Sequence, residues 1–248
     1  MLQQFNPKRV LRQVSNPLLK EFFERLGHPL EVDWDSISNS QVESIFDAWQ
    51  ELPSGPRKVA EIVFQDVHEM ATEDGIRVII EDGLYHDVDL APHLEPMESR
   101  YDKAIWTAMN WPAIWSAATR FAKADSLSSG RSWVKRGNLP AVEPRADADA
   151  VMELQTAMSA FFRDRQGRGH HCKVEHFPRG NGLDYFFVYL SDYADTHINF
   201  DDAGEFQRTP DRRAFEVVFA HDRDNGTLEV YAKGAGKSSS PCSRSIRK

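Results

Sequence analysis

Four residues within seven positions, His170, His171, Cys172 and His176, form the densest set of metal-ligand side chains in the chain. Imidazole and thiolate are the usual ligands of zinc, which takes three or four of them at once. On one extended strand Cys172 and His176 share a face but stand about 13 Å apart, at roughly 3.3 Å per residue. That is too far for a single ion, so a site here needs partners from the next turn. Asp192, Asp195 and His197 supply the right types there. The candidate metal set is therefore His170, His171, Cys172, Asp192, Asp195 and His197. The plainer reading of the same residues is an edge strand followed by a polar turn.

A second constellation is aromatic. Tyr185, Phe187 and Tyr189 alternate along one stretch, and Tyr231 comes from another. Such rings on a sheet can stack unpaired bases, with Arg179, Arg208, Arg212, Arg213 and Lys233 as nearby positive charge. The candidate binding face is Tyr185, Phe187, Tyr189, Tyr231, Arg212 and Arg213. Against this stands burial: a strand apolar on both sides is usually covered on both sides. The expectation is that this aromatic side is packed under the N-terminal helices or the helix at 147–165.

Other chemistry is thinner. His221 with Asp222 or Asp224 offers a proton-transfer pair, but beside a hairpin turn, a solvent-exposed place rather than the cleft such catalysis needs. Gly234-Ala235-Gly236-Lys237-Ser238 follows a strand as a phosphate loop does. The position that needs the first glycine of that motif is Tyr231, and Ser239-Ser240-Pro241 stands where a helix must begin. No Gly-x-Ser-x-Gly, His-Glu-x-x-His or Cys-x-x-Cys occurs, so no standard nucleophile or zinc motif supports an enzyme.

The elements that would position these residues run from 172 to 233. Strands are predicted at 172–177, 183–190, 196–200, 214–220 and 227–232, from period-two alternation and apolar runs. Asn181-Gly182 and Asn225-Gly226 read as hairpin turns, the second of type I′. Short connections favour an antiparallel meander. The stretch 201–212 is long for a hairpin connection.

Upstream the periodicity is helical. Asn16-Pro17 opens a helix with Leu18, Leu19, Phe22, Phe23 and Leu26 on one face. Ser40-Gln41-Val42-Glu43 is a capping-box pattern before Ile45, Phe46 and Trp49. A further helix is predicted from 57 to 73. The β-branched run 76–80 fits a strand or a short helix. Helices at 99–110 and 112–124 meet at Pro112, and 147–165 is a last helix with Val151, Leu154, Met158, Phe161 and Phe162 on its inner side. The tail 238–248 is polar, aperiodic and expected to be disordered.

These readings give an α+β chain: a helical region 1–125, a linker 126–145, a helix with a five-stranded antiparallel meander sheet 146–236, and a tail 237–248. The 248 residues carry a formal net charge of −8. The acidic excess lies before Arg168, and charges balance after it. General affinity for phosphate backbones needs a basic face and is not favoured. No stretch reaches the roughly 18 apolar residues of a membrane helix. Two cysteines and an N-terminus without a signal-peptide pattern point to the cytoplasm. No cofactor fingerprint is present, and none is expected. The leading expectation is a soluble intracellular binding or regulatory protein acting through contacts with a protein partner. The alternatives are a metal-dependent hydrolase using the His and Asp residues at the strand ends, and a single-stranded nucleic-acid binder using the aromatic face.

Overall fold

A computed structural model describes residues 5–38, 41–128, 133–180, 182–201 and 203–232. The glycine-rich stretch 234–238, the tail 238–248, Cys242, Lys233, Asn181 and Ser40 fall outside them. The chain divides into two compact units, Met1–Lys123 and Ala124–Lys248.

The first unit is helical: α1 (Pro7–Gln13), α2 (Asn16–Arg25), α3 (Glu43–Gln50), α4 (Ser54–Met70), α5 (Glu73–Tyr85), α6 (Ala91–Leu94), α7 (Arg100–Asn110) and the start of α8 (Pro112–Ser128). Local chemistry sets the boundaries. Asn6 caps α1 by accepting from the Arg9 N–H, with Pro7 in the first turn. The run 76–80 is helical because Thr72 caps α5 through the Gly75 N–H and Glu73 and Asp74 face its N-terminal dipole. At α2 the cap is Ser15, not Asn16; Asn16 lies inside the helix and its Nδ2 donates to the Ile37 carbonyl at 2.7 Å. The core is aromatic at its centre. Phe64 packs 5.1 Å from Phe22 and 5.1 Å from Trp49, ring centre to ring centre, with Phe23 beside it.

The second unit is a helix on a sheet. It contains β1 (Trp133–Arg136), α9 (Ala148–Gln166), β2 (Cys172–Arg179), β3 (Leu183–Ser191), β4 (Asp195–Phe200), β5 (Phe206–Asp211), β6 (Ala214–Asp222) and β7 (Thr227–Ala232). Five strands form an antiparallel sheet in the order β1-β7-β6-β3-β2. The protein is thus α+β, with helices mostly N-terminal. Met158 and Phe162 of α9 pack on Val174, Phe186, Val188, Leu190, Val217 and Phe219. Asp147 caps α9 through the Ala150 N–H, and Gly167 ends it at φ 68°.

Three details of the strands differ from the sequence reading. The fifth strand of the sheet is β1, from the stretch expected to be a linker, with Trp133 opposite Tyr231. The strand at 196–200 does not join the sheet but pairs with β5 in a separate two-stranded ribbon. The long connection 201–212 therefore holds a strand, which its single large hydrophobe, Phe206, did not advertise. The turn between β6 and β7 is also not type I′, because Asp222 pairs with Thr227 and the loop spans four residues. Asp222 Oδ1 accepts from the Asp224 and Asn225 N–H groups at 3.0 and 2.9 Å, which holds Asn225 out of the left-handed region. Gly226 alone in that loop takes positive φ, 57°.

Candidate functional site

The β4–β5 ribbon alternates strictly. Register pairs Thr196 with Pro210, Ile198 with Arg208 and Phe200 with Phe206 on one face. Asp195 with Asp211, His197 with Thr209 and Asn199 with Gln207 lie on the other. In a globular protein the apolar face of such a ribbon turns inward. Here it turns out. Ile198, Phe200 and Phe206 are 64%, 69% and 59% exposed, while His197, Thr209 and Gln207 on the polar face are half-buried. Phe200 and Phe206 meet edge to face at 5.9 Å.

Both ends of the ribbon are held. At the tip, Asp201 accepts from the Glu205 N–H at 2.9 Å, the Ala203 N–H at 3.0 Å and Gln207 Nε2 at 2.6 Å. The Glu205 N–H leads these in keeping its carboxyl below the usual range. At the root stands Arg168, half-buried. Its guanidinium lies 3.8 Å from the Phe215 ring centre and 5.5 Å from that of Tyr193. It donates to Asp192 Oδ1 at 2.9 Å. Burial pushes the Asp192 carboxyl up, but the bonds from Arg168 and the Tyr193 N–H outweigh it and hold the group below its ordinary value. The Asp192 N–H donates to the Arg213 carbonyl at 2.7 Å, and the Tyr193 hydroxyl donates to the Gln166 carbonyl. An isolated two-stranded ribbon is marginal in water. This one is tied to α9 and β6 by ion pair, ring contacts and backbone.

The expected metal ligands have differing surroundings. His170 and His171 are exposed, and Cys172 is half-buried at the start of β2. Burial pushes the Cys172 thiol up to about 11, which disfavours the thiolate that binds metals and attacks carbonyls. Asp192 is taken by Arg168, Asp195 accepts from the Thr196 N–H, and His197 Nδ1 faces Arg213 at 3.1 Å. Among the described residues no three His, Cys, Asp or Glu side chains stand together as a metal site.

The aromatic residues are placed in packing. Phe187, Tyr185 and Tyr231 are 1%, 7% and 8% exposed, and Tyr189 is half-buried. Arg179 lies over Tyr185 and makes two bonds to Asp125, at 2.7 and 2.8 Å. The helix α9 does not cover this side. It packs on the opposite face, where Phe186, Val188 and Leu190 point. Arg212 and Arg213 are exposed at the ribbon root, just before β6, eight and seven positions ahead of Ala220, the residue opposite Tyr185.

Asp184 was missed from sequence. It is 1% exposed, with one oxygen 2.8 Å from His176 Nε2 and the other 3.0 Å from an Arg223 nitrogen. His221 stands opposite it on β6, and the His176 ring covers Phe186 at 4.6 Å. The carboxylate orients the imidazole and closes the end of the core beyond Phe186. Alternation carried the signal: Asp184 is the one charge in phase with Phe186, Val188 and Leu190.

No family model matches this chain, and no curated protein or solved structure is significantly similar to it.

Proposed function

We propose that this is a binding protein that works through contacts with a protein partner, and that the outward face of the β4–β5 ribbon makes the contact. The observation that carries the reading is the inverted amphipathicity of the ribbon: Ile198, Phe200 and Phe206 face solvent while its polar side is the more buried one. Three large exposed hydrophobes on one face, with polar residues around them, support reading it as an interaction site rather than ordinary surface scatter. Arg208 stands within the patch opposite Ile198, and aromatic and Arg side chains are those that dominate protein contacts. A nucleic-acid partner fits the ribbon less well. Asp195, Asp201, Glu205 and Asp211 more than offset Arg208, Arg212 and Arg213, whereas phosphate contact needs a positive surface. A regulatory role and a cytoplasmic setting go with this reading, the latter on the half-buried free thiol of Cys172.

The test is a double variant, Phe200→Ser with Phe206→Ser. Its circular dichroism and melting midpoint should match the wild type, because neither ring is in the core. In extracts of the native cell, the wild-type chain should elute in a larger complex and the variant at its own mass. Identical elution of the two would reject the ribbon as the contact.

A further inference from the structure

Strand edges are where one chain recognises another, because their N–H and C=O groups lack partners. The edges in this protein are guarded unequally. On β2 the Val174 N–H is taken by Gln155 Oε1 at 2.9 Å, and Pro178 has no N–H to offer. The other sheet edge, β1, is four residues long. In the ribbon, the Asp201 N–H bonds the Glu205 carbonyl at 3.0 Å, which fixes the parity of the pairing. Residues 195, 197 and 199 bond inward to β5, so the backbone groups of Thr196, Ile198 and Phe200 point out from the free edge of β4. The Thr196 N–H is occupied by Asp195 Oδ1 at 2.8 Å. Among the described residues the outward N–H and C=O groups of Ile198 and Phe200 meet no backbone partner. On β5 the outward positions are Phe206, Arg208 and Pro210, and the last again lacks a donor.

Resting on the reading of the ribbon as a protein contact, we propose that the occupant of the β4 edge is β4 of a second copy of this chain, paired antiparallel about a two-fold axis at Asn199. In that register Ile198 of each copy stands opposite Phe200 of the other. The two N–H groups and two C=O groups open on each edge are all consumed, giving four hydrogen bonds. Ile198 and Phe200 meet as apolar neighbours on the outward face, extending one apolar strip across four strands. On the other face Asp201 of one copy stands opposite His197 of the other, the imidazole that Arg213 contacts. Moving the axis to Ile198 would set Asp195 against Asp201, like charges, and would call on the occupied Thr196 N–H. Pairing through β5 would set Phe206 against Arg208. The contact is short of the ~1,200–2,000 Å² of a stable interface, so the dimer is reversible and concentration-dependent.

The test uses the full chain. Sedimentation equilibrium from about 1 to 500 µM should show a monomer–dimer equilibrium. Ile198→Pro removes one cross-chain donor without touching a β4–β5 bond and should weaken the dimer at least tenfold; Phe200→Asp should do the same. Val142→Ser, at an exposed apolar position away from the ribbon, should leave dimerisation unchanged. The register has its own readout. In a Cys172→Ser, Cys242→Ser background, Asn199→Cys should oxidise to a disulfide dimer, since facing non-bonded positions stand about 4.5 Å apart and disulfides span 4.4–6.8 Å. His197→Cys should not. A chain that stays monomeric across the range, or a dimer indifferent to both β4 variants, overturns the proposal. A photo-crosslinker at Phe200 separates the levels: an adduct with a different protein refutes self-pairing and keeps the ribbon as a contact, and no adduct refutes both.

Discussion

Phe187 and Phe200 are the same side chain in opposite environments of the second unit, and alanine substitution of each should give opposite results. Phe187 sits on interior strand β3, 1% exposed, with Phe177 at 6.0 Å edge to face and Tyr185 stacked at 6.0 Å. A buried Phe removes about 150–200 Å² from water. At about 25 cal/mol per Å² that is roughly 4–5 kcal/mol for the whole side chain. Alanine keeps part of this area, but the cavity left behind adds cost, and the net is about 3–5 kcal/mol. Phe200, 69% exposed, has its ring against Phe206 and most of its surface in solvent. Its truncation should cost no more than about 0.5 kcal/mol. Urea denaturation of both variants at one low protein concentration measures the difference. A loss above about 1.5 kcal/mol for Phe200→Ala would show that the ribbon face belongs to the fold, and would refute the argument that it is kept for a partner.

Other outcomes follow from single sites. Gly226→Val should cost at least about 2 kcal/mol, because φ is 57° and a Cβ there would lie 2.2 Å from the Leu139 carbonyl oxygen; thermal denaturation reads it. Gly204→Ala, at φ 83° with open space around it, should lose only about 1 kcal/mol on the same assay. Asp184→Ala leaves Arg223 and His176 without their shared carboxylate and should destabilise by about 2–3 kcal/mol in urea, with Asp184→Asn recovering part. Asp192 has a folded value below its usual 3.8, so its pairing with Arg168 stabilises fully above that pH and is lost as pH falls through the depressed value. Asp192→Asn should therefore reduce stability at pH 7 and flatten the acid limb of the stability curve, whereas an unchanged limb would show that the root ion pair adds nothing.

The fold was legible where pattern and burial agree. Leu183 to Leu190 carries large apolar residues on both faces and is an interior strand, paired on both sides; the stripe Met158, Phe162 is the face of α9 that meets the sheet. Thr72 with Glu73 and Asp74 would have settled 76–80 as helix had capping been weighed above β-branching. Two features were hidden for physical reasons. The four residues of β1 gain stability only by pairing with β7, a contact 94 positions away at Lys135 and Glu229 that no local pattern encodes. The ribbon was hidden because one of its strands holds Arg208, Thr209 and Pro210, and its apolar face points away from the core, so alternation there predicts the wrong side. The same inversion makes Phe200 and Phe206 candidates that the sequence did not offer.

Site-specific photo-crosslinking in the native cell reads the contact at the ribbon itself. A benzoylphenylalanine at Phe200, with a matched one at exposed Val142 as control, should trap a discrete protein adduct at position 200 only, and Arg208→Glu should diminish it. Equal labelling from both positions, or none from either, would contradict the account.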